Sequence, residues 1–573
     1  MAFVTLMVLA SPVLILLLRA AWITLSCYFL TPLRIRRIMA RQGVHGPPPR
    51  PLIGNLRDVS ALVAQATADD MPALSHDIVG RLMPHYVLWS RTYGESEMAR
   101  MYQRPPPHCT VDRVPLRRWN VLVMLVFVRA CAAGKLFVYW YGSEPRLCLT
   151  DAAQIKEFLS SKYAANATGK SWLQRQGTRH FIGRGLLMAN GAHWSHQRHV
   201  VAPAFMPDKL KGRVGHMVEC TKQTIRALQE AASAPSPGGG QRREVEIGGY
   251  MTRLTGDIIS RTEFDTSYDT GKLIFRLLED LQRLTASSSR HLWIPGSQYF
   301  PSKYRREIRR LNGELEAVLT ESIGRSRAIA DEGRTTSAYG RGLLAMLLSE
   351  MEKKKQDEAA AGQQAEQQFS YDLQLVIDEC KTFFFAGHDT SALLLTWALM
   401  LLATHPEWQD RARAEVARVC GDDPPSYDDL SKLTVLQMII HETLRLYPPA
   451  TLLPRMVFED IRLTGGLHLP RGLSVWIPVL AIHHDESIWG PDAHEFRPER
   501  FAAGRRPAFL PFASGPRNCV GQAYALVEAK VVLAMLLSHF RIAISDGYRH
   551  APVNVLTLRP KHGVPVHLRP LRP

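Results

Sequence analysis

One cysteine of this chain lies in a loop whose neighbours favour chemistry at its sulfur. Cys519 stands between Gly515 and Gly521, two residues after Arg517, and a helix is predicted from about Gln522. A guanidinium and the positive end of a helix lower the pKa of a thiol and favour the thiolate. Such a thiolate could act as a nucleophile or bind a metal ion. The alternative is a cysteine packed as a small apolar residue, but the glycine- and proline-rich loop argues against it.

A second candidate lies within a long apolar segment, residues 371–403. The pattern predicts a helix, yet Gly387, Asp389 and Thr390 interrupt the apolar run. Glycine and short polar residues lower helix stability, and a threonine hydroxyl can bond back to the carbonyl four residues earlier and bend the helix. One interpretation is a tolerated kink. The functional interpretation is a local opening of the helix that admits water and O₂.

Two charged or aromatic pairs have helical spacing. Glu442 and Arg445 are three residues apart on a predicted helix and can form an ion pair. Trp194 and Arg198 are four residues apart and face the same way. Each pair also has a plain interpretation, as a surface ion pair and a surface cation–π contact, so neither is specific alone.

The cysteine loop carries the pattern Phe512-x-x-Gly515-x-Arg517-x-Cys519-x-Gly521. This pattern resembles the haem-binding signature of the cytochrome P-450 superfamily. The resemblance implies haem b as cofactor, with Cys519 as the axial thiolate ligand of its iron and Arg517 as the partner of a haem propionate. A thiolate ligand favours O–O cleavage, and a guanidinium suits a carboxylate. Gly521 has no side chain to block a flat ligand.

Other motifs take roles from the same resemblance. The sequence FAGHDTS resembles the oxygen-activation motif, in which Thr390 would donate a hydrogen bond to O₂ and Asp389 would belong to the proton-delivery route. Glu442 and Arg445, with Arg500 in the later sequence FRPERF, resemble the superfamily's structural Glu–Arg–Arg network. The remaining expected cofactor-binding residues are Trp194, Arg198 and Arg455, which would contact the haem propionates.

Helical patterns outnumber strand patterns, which predicts a mainly α (α+β) fold with small sheets. The resemblance implies the cytochrome P-450 fold. The predicted helices are 371–403, 407–420 and 430–447; the predicted strands are 136–141, 455–463, 473–479 and 553–558; and 233–241 and 353–368 are predicted as surface linkers.

The composition is that of a folded protein with an excess of positive charge. Hydrophobic residues are 46% and charged residues 21%, which excludes a mostly disordered or collagen-like chain. The net charge of +17 indicates anionic partners: nucleic acid, a membrane surface or an acidic protein face. The 8 cysteines are irregularly spaced without a CxxC, which disfavours a disulfide scaffold and favours a reducing compartment.

The amino terminus predicts a membrane anchor. Residues 1–30 are almost wholly apolar, with Arg19 as the only charge, and are long enough to cross a bilayer. Arginines at 34, 36, 37 and 41 favour a cytosolic location for the rest of the chain. A cleaved signal peptide is the alternative, but no basic residue precedes the run. We therefore expect a single-pass protein of the endoplasmic reticulum membrane, divided into an anchor (1–33), a basic and proline-rich hinge (34–51) and a haem-thiolate monooxygenase domain (52–573).

Residues 95–134 depart from the resemblance. Relatives run from a Tyr-Gly directly into a Lys-x-Phe strand, whereas here Tyr93-Gly94 and Lys135-Leu136-Phe137 are about forty residues apart, beyond ordinary loop lengths. The segment could be a tolerated loop, a membrane-contact element or a gene-model error such as retained intron sequence, and we favour the last. It puts folding in doubt, not the chemistry.

A finer resemblance is to the plant clan that includes cytokinin hydroxylases. It rests on the sequences DECKTFFFAGH, PPATLLPR, WIPVLAIHH and YRHAP. By analogy the substrate would be an isopentenyladenine nucleotide, and the reaction trans-hydroxylation of its prenyl methyl to trans-zeatin forms. A phosphorylated substrate would want basic residues at the pocket mouth, and Arg175, Arg179 and Arg184 are candidates; surface arginines on a basic protein are the plain alternative.

The reaction needs electrons that this chain cannot take from a nucleotide. It has no glycine-rich dinucleotide motif after a strand and no recognisable flavin domain. The expected partners are therefore NADPH-cytochrome P-450 reductase, O₂, a small-molecule substrate and the membrane, and not nucleic acid, because no nucleic-acid-binding motif accompanies the charge. The alternatives are oxidation of another hormone or lipid (gibberellin, brassinosteroid, fatty acid or triterpenoid), a reductase-independent rearrangement, which Asp389-Thr390 argues against, and a non-catalytic haem- or ligand-binding membrane protein.

Overall fold

The computed structural model confirms a mainly helical α+β fold. Helices make up the larger part of the chain, and the strands form small sheets. The structure describes residues 14–15, 18–19, 21–22 and 25–571, except 95–135, 234–243, 265, 267, 289–301, 332–341, 362–370 and 505–507.

The central helix, Leu373–Thr404, organises the core. Its sequence is almost continuously apolar, so most of its residues are buried, as expected for a helix inside a large protein. The carboxylate of Asp372 caps its first turn by accepting a hydrogen bond from the Leu375 N–H at 2.6 Å. Gly387 has a packing role, because a Cβ there would lie 2.8 Å from the Ile259 side chain of a neighbouring helix. The helix is continuous through FAGHDTS, so the expected local opening is not present as a break.

The remaining helices surround the central helix or cap the sheets. The longest of them is Lys303–Asp331, and the helix Gln522–His539 begins directly after the cysteine loop, residues 511–521. The others are Ser26–Leu30, Thr31–Arg41, Leu56–Ala66, Val79–Leu82, Pro84–Tyr93, Ala152–Phe158, Ser161–Ala164, Trp172–Thr178, Gly191–Val201, Ala202–Phe205, Pro207–Ser233, Ile247–Glu263, Tyr268–Ser288, Leu343–Ala361, Pro406–Cys420, Thr434–Leu446, Val479–His483, Glu486–Trp489 and Pro498–Phe501.

The largest sheet has five strands. Its inner pairs are antiparallel, except that Glu144–Cys148 runs parallel to Ser474–Ile477. Beneath it lies a second apolar core, separate from the core around the central helix. In spatial order the strands of this sheet are Phe137–Tyr141, Glu144–Cys148, Ser474–Ile477, Leu453–Val457 and Thr168–Gly169; a three-stranded sheet is formed by Glu244–Glu246, Pro565–Pro570 and Phe540–Ile544, and two hairpins by Ile461–Arg462 with His468–Leu469 and by Pro552–Val555 with Thr557–Pro560.

The expected elements are present, with three corrections to their bounds. The segment predicted as one strand at 455–463 is two short strands. The segment 553–558 is not one strand but the C-terminal hairpin, Pro552–Val555 and Thr557–Pro560, which turns at Leu556 with φ of +63°. The predicted linker 353–368 is helical as far as Ala361. Its remainder, and most of the linker predicted at 233–241, lie outside the described residues.

The amino-terminal region is described only in part. Several large apolar side chains between Leu14 and Leu33 are exposed, among them Trp22 and Phe29, whereas Ile35 and Met39 of the helix Thr31–Arg41 are fully buried in the core beneath the five-stranded sheet. Most of residues 1–24 lies outside the described part of the chain. Among the described residues, one helix is long and apolar enough to span a bilayer; it is the central helix, and 72% of its most apolar window is buried inside the protein.

The proline-rich hinge is pinned to the first strand of the sheet. The Val138 N–H donates to the His45 carbonyl at 3.0 Å, and Gly54 bridges to Tyr141. Gly46 leaves no room for a side chain, because a Cβ there would lie 1.7 Å from the Val138 carbonyl oxygen. The hinge is therefore part of the folded body.

The expected insertion at 95–134 lies outside the described residues, but its flanks meet. The helix Pro84–Tyr93 precedes it and the strand Phe137–Tyr141 comes after it. Their aromatic rings pack together, with centroids 6.1 Å apart for Trp89 and Phe137 and 5.5 Å apart for Trp89 and Tyr139. The two described ends that flank the segment therefore lie close together.

Candidate active site

The cysteine loop is held by its own backbone. The Cys519 N–H donates to the Phe512 carbonyl at 2.9 Å, and the ring of Phe512 packs against the main core. Gly515 has φ of +73°, and a Cβ there would lie 1.8 Å from the carbonyl oxygen of Leu159. Gly515, the second fixed position of the cysteine-loop pattern, must therefore be glycine for two reasons: its backbone conformation and its close contact with a neighbouring element.

The Cys519 side chain is exposed, yet the surrounding protein desolvates its sulfur. This combination fits the wall of a cavity better than the outer surface. Desolvation raises the pKa of the thiol, against the opposing effects of the Gly521 N–H and the Arg198 guanidinium. The sequence predicts the opposite direction, and that prediction is wrong because the loss of water outweighs both positive groups. A metal cation at the sulfur would supply the charge that the thiolate needs.

Space for a flat ligand exists beside the loop. A Cβ built on Gly521 meets no atom within 4 Å. The Gly521 N–H is the backbone donor that acts on the thiol. An open cysteine flanked by an unobstructed glycine fits a planar group that approaches the sulfur from the cavity.

Four cations, which we call the cation cluster, lie near this cavity: Lys170, Arg198, Arg455 and Arg517. Within the described ranges none of them is in ion-pair distance of a carboxylate. Desolvation lowers the pKa of Arg455 to about 10 and, with repulsion from Arg455, that of Arg517 to about 9. Desolvation and repulsion from both arginines also hold the pKa of Lys170 well below its usual range. Cations crowded together without anions fit a ligand that brings carboxylates, as the two propionates of haem b would.

Backbone carbonyls position the cation cluster. Arg517 donates to the carbonyls of Ala164 at 3.1 Å and Ala189 at 3.0 Å. Arg198 donates to the carbonyl and side-chain oxygens of Asn518 at 2.7 and 2.9 Å, next to the cysteine. Each guanidinium is thus fixed in direction while its charge stays uncompensated.

The cation that contacts the Trp194 ring is not the one that helical spacing suggests. Its indole ring is buried, and the guanidinium that lies over it, 4.4 Å from the ring centroid, belongs to Arg517 and not to Arg198. The helix Gly191–Val201 therefore brings Trp194 to one arginine of the cation cluster and contributes Arg198 as another.

The acid and hydroxyl of the central helix have different surroundings. Thr390 is half-buried, and its hydroxyl donates to the carbonyl of Ala386 at 2.7 Å, the back-bond that the sequence predicts. Asp389 is buried, and its carboxylate pairs with the Arg559 guanidinium from the C-terminal hairpin. Desolvation raises the pKa of Asp389, while Arg559 and the Thr557 side chain act in the opposite direction.

The surroundings of His388 do not suit an iron ligand. Its ring stacks on Phe275 with centroids 4.2 Å apart, and its carbonyl accepts a hydrogen bond from the Thr255 hydroxyl at 3.1 Å. Desolvation lowers its pKa to about 4, so the ring is neutral at pH 7. This arrangement fits the interpretation of His388 as a neutral spacer.

The structural network that the sequence suggests is assembled in the core. Arg445 donates to both carboxylate oxygens of Glu442 at 2.8 Å, and both side chains are fully buried. Arg500 approaches the same carboxylate at 3.4 Å and also pairs with Asp492 at 2.8 Å. The guanidinium of Arg445 further donates to the carbonyls of His483 and Ala493 at 2.8 and 2.7 Å. These bonds join the helix Thr434–Leu446 to the segments after it, so the network is a structural one.

Comparisons with known proteins agree with this site. A cysteine beside cations that pair with no carboxylate in the described structure is compatible with a haem-thiolate class of protein. The chain belongs to the cytochrome P450 family, whose model matches residues 104–563. It is similar to two proteins named cytokinin hydroxylase from Arabidopsis thaliana, each 50% identical, covering 98% and 97% of this chain and 97% and 96% of theirs. It is also 35% identical to cytochrome P450 734A4 of Oryza sativa subsp. japonica, over 98% of this chain and 97% of that protein.

Family membership fixes the class of reaction. Members bind haem b through a cysteine thiolate. The chain is a monooxygenase that uses O₂, a reductase and a small-molecule substrate.

Sequence reasoning missed Lys170, Asn518 and Arg559. Asn518 lies within the cysteine loop, and its position beside the cysteine was the available signal. Lys170 is a single lysine after a two-residue strand, and Arg559 a single arginine in the hairpin. Neither has a pattern of its own, because both reach the site only through the tertiary fold.

Proposed function

We propose that this protein hydroxylates the isopentenyl side chain of cytokinin nucleotides to trans-zeatin forms. The observation that carries the proposal is 50% identity, over nearly the whole of both chains, to two proteins named cytokinin hydroxylase. The relatives at about 35% identity are weaker guides to a substrate, because function depends on the site more than on the fold.

The haem-binding residues of the proposed site are inferred from the contacts. Cys519 would ligate the iron, and Phe512 and Gly521 shape the loop around it. The cation cluster and Trp194 would hold the propionates, and desolvation lowers the pKa of Lys170, Arg455 and Arg517 in this cluster. When bound, the haem supplies the centre at which dioxygen is activated. The protein's part is to fix its orientation and exclude water.

Asp389 and Thr390 would deliver protons to the oxygen substrate. The Thr390 hydroxyl is half-exposed, so it can exchange its bond to the Ala386 carbonyl for one to the oxygen substrate. Asp389 is the adjacent acid, with one oxygen engaged by Arg559 and the other without a hydrogen-bond partner in the described structure. The carboxylate, with the Thr557 side chain as a further polar neighbour, would relay a proton toward Thr390.

Two of the three candidate arginines could receive a substrate phosphate. Arg184 is already engaged, with Asp372 at 2.9 Å and Asp378 at 3.4 Å. Arg175 and Arg179 are exposed on and after the helix Trp172–Thr178. We expect Arg175→Ala with Arg179→Ala to raise KM for the nucleotide more than for the free base, whereas equal changes in both KM values would contradict this role.

The proposed location is the endoplasmic reticulum membrane, with the body in the cytosol and NADPH-cytochrome P-450 reductase as electron donor. The exposed apolar side chains before Leu33 and the basic residues after them support the anchor. The sequence Asn166-Ala167-Thr168 fits a glycosylation acceptor and gives a test of orientation. A cytosolic body leaves Asn166 bare in a glycosidase-shift assay, and a glycan there would reverse the orientation.

The decisive experiment combines a spectrum with an assay. Microsomes expressing the full chain should give a thiolate-type Soret band in the reduced carbon-monoxide difference spectrum. With reductase and NADPH they should convert isopentenyladenine nucleotides into trans-hydroxylated products. Cys519→Ala should lose the band, and Cys420→Ala, which changes a cysteine far from the loop in sequence, should keep it. A strong band without hydroxylation of these nucleotides would support the assignment as a monooxygenase but contradict the proposed substrate.

The status of residues 95–134 within the proposed monooxygenase domain has a separate test. Deleting 95–134 joins flanks that already pack together, so the shortened chain should fold. If the band appears only after this deletion, the segment obstructs folding and the gene-model interpretation gains support. If the full chain gives the band as strongly, the segment is a tolerated insertion.

A further inference from the structure

The C-terminal hairpin reaches the acid of the central helix from outside the oxygen-activation motif. Arg559 pairs with Asp389, and it is 170 residues away along the chain. The Arg559 side chain is 30% exposed, whereas that of Asp389 is 8% exposed. One guanidinium therefore touches both solvent and a buried carboxylate.

The hairpin is clamped in place around this contact. The Leu558 carbonyl accepts a hydrogen bond from the Trp397 indole at 3.0 Å, and the Leu558 N–H donates to the Pro449 carbonyl at 3.1 Å. Within the hairpin, the Arg559 Nε donates to the Thr557 hydroxyl at 3.1 Å. The guanidinium is thus held by strand geometry and does not sweep freely as a surface arginine would.

The charges that face Asp389 are few. The charge acting on its carboxyl is Arg559, with the Thr557 hydroxyl as a further polar neighbour. On its own helix, His388 is neutral against Phe275. The next residue, Ser391, acts on the buried carboxyl of Glu528 from the helix Gln522–His539, and burial raises the pKa of Glu528 to about 8, so it is largely uncharged at pH 7. Desolvation is the largest influence on the pKa of Asp389, and among the described residues Arg559 is the charge that opposes it.

We propose that Arg559 is a positioning residue for proton delivery: it keeps the Asp389 carboxylate ionised beside Thr390 and links it to solvent at the C-terminal hairpin. This inference rests on the proposed role of Asp389. The ionised carboxylate takes a proton from water at the Arg559 side and passes it to the Thr390 hydroxyl. The hydroxyl gives its own proton to the oxygen that the reductase electrons reduce, so each proton entering is matched by one leaving.

The first test is the pH dependence of coupling, measured as product formed per NADPH consumed by the haem-loaded protein. Without the guanidinium, less opposes the effect of desolvation, so the pKa of Asp389 rises further. Arg559→Gln should lower coupling at pH 7 by about 10-fold or more, and the pH of half-maximal coupling should rise by about one to three units. Arg559→Lys should keep most of the coupling because it keeps the charge. Lys561→Gln is the matched control, since Lys561 comes just after the same hairpin but pairs with Asp70 at 3.1 Å.

A second readout does not depend on turnover. Thermal melting of Asp389→Asn, Arg559→Gln and the double variant forms a double-mutant cycle. Non-additive changes in Tm show that the two groups interact in the protein as it stands. Additive changes would overturn the proposal at its structural basis.

The outcomes separate the inference from the function beneath it. If Asp389→Asn couples as well as the unaltered protein, the proposed role of Asp389 fails and the inference fails with it. If Asp389→Asn is impaired but Arg559→Gln keeps the unaltered pH profile, only the inference fails, and the ion pair is structural. Better coupling in Arg559→Gln would show that Arg559 restrains Asp389 and does not assist it, and this result would also overturn the inference.

Discussion

Two groups of buried charge in this protein are built in opposite ways. Around Glu442, the carboxylate and the Arg445 guanidinium are fully buried, meet in two bonds of 2.8 Å and exchange further bonds with carbonyls. In the cation cluster, guanidinium groups such as those of Arg455 and Arg517 bond to carbonyls but meet no carboxylate in the described structure. The first group is complete without a ligand. The second group lacks an anion in the described structure, as expected if it holds the propionates of the cofactor.

The largest effect should come from breaking the complete group. Glu442→Gln leaves Arg445 as an uncompensated charge with no access to water, which costs about 3–5 kcal/mol. We expect a large fall in Tm or in the yield of folded protein. Glu499→Gln is the control, because Glu499 is half-exposed and pairs with Arg411 at 3.2 Å; its effect should stay within about 0.5 kcal/mol. A near-normal Tm for Glu442→Gln would remove the distinction between the two groups.

The incomplete group should respond in the reverse sense. Arg455→Gln relieves a desolvated charge, so the haem-free protein should be no less stable. The loss of a charge-assisted bond to a propionate costs about 1.5–3 kcal/mol, which is roughly 10- to 100-fold in haem retention. Transfer of haem to a scavenger protein measures the second quantity, and melting of the haem-depleted protein measures the first. If the haem-depleted variant is as destabilised as Glu442→Gln, the cation cluster is structural.

Buried carboxyls form a third case that sharpens the comparison through pH. Desolvation raises the pKa of Glu379 and of Glu528 to about 8. Because these pKa values lie above the ordinary value, folding binds protons, and the stabilisation lost as pH rises toward 8 is at most about 1.4 kcal/mol per pH unit and group. The buried histidines, such as His76 with its pKa lowered to about 3, contribute their change below pH 6.5.

Thermal melting from pH 6.5 to 8 checks this expectation. Tm should fall across the window, and Glu528→Gln should flatten the slope because the amide does not ionise. Glu495→Gln, a change at an exposed carboxyl, is the comparison variant. An unchanged slope in Glu528→Gln would assign the pH dependence to other groups.

The smallest expected change in stability concerns a hydroxyl on the central helix. Thr390 and Thr396 both donate to the carbonyl four residues earlier, each at 2.7 Å. Replacing either by valine should cost about 0.5–1.5 kcal/mol. Only Thr390→Val should lower product per NADPH, because Thr396 is buried away from the half-exposed position. Equal coupling in the two variants would deny Thr390 its role.

The cysteine loop could be predicted from sequence because its function is local. Its residues contact each other within one short loop, so Gly515 and Cys519 are neighbours in the structure as they are in the sequence. The central helix was likewise predictable from its apolar length. Lys170 and Arg559 could not be predicted, since each becomes functional only when distant strands bring it to a site. The pKa direction of Cys519 failed for the same reason: the motif indicates charges, but the loss of solvent depends on the whole fold.

Because Trp89 packs against Phe137 and Tyr139, the length of the segment between them can vary. Chain length between two fixed points enters the folding free energy only logarithmically, with about 0.6 kcal/mol for each doubling. A change in the length of the segment after helix Pro84–Tyr93 should therefore cost the folded protein little stability. The segment is equally a port at which a purification tag or fluorescent module can be spliced in, with the cysteine loop and the central helix left intact.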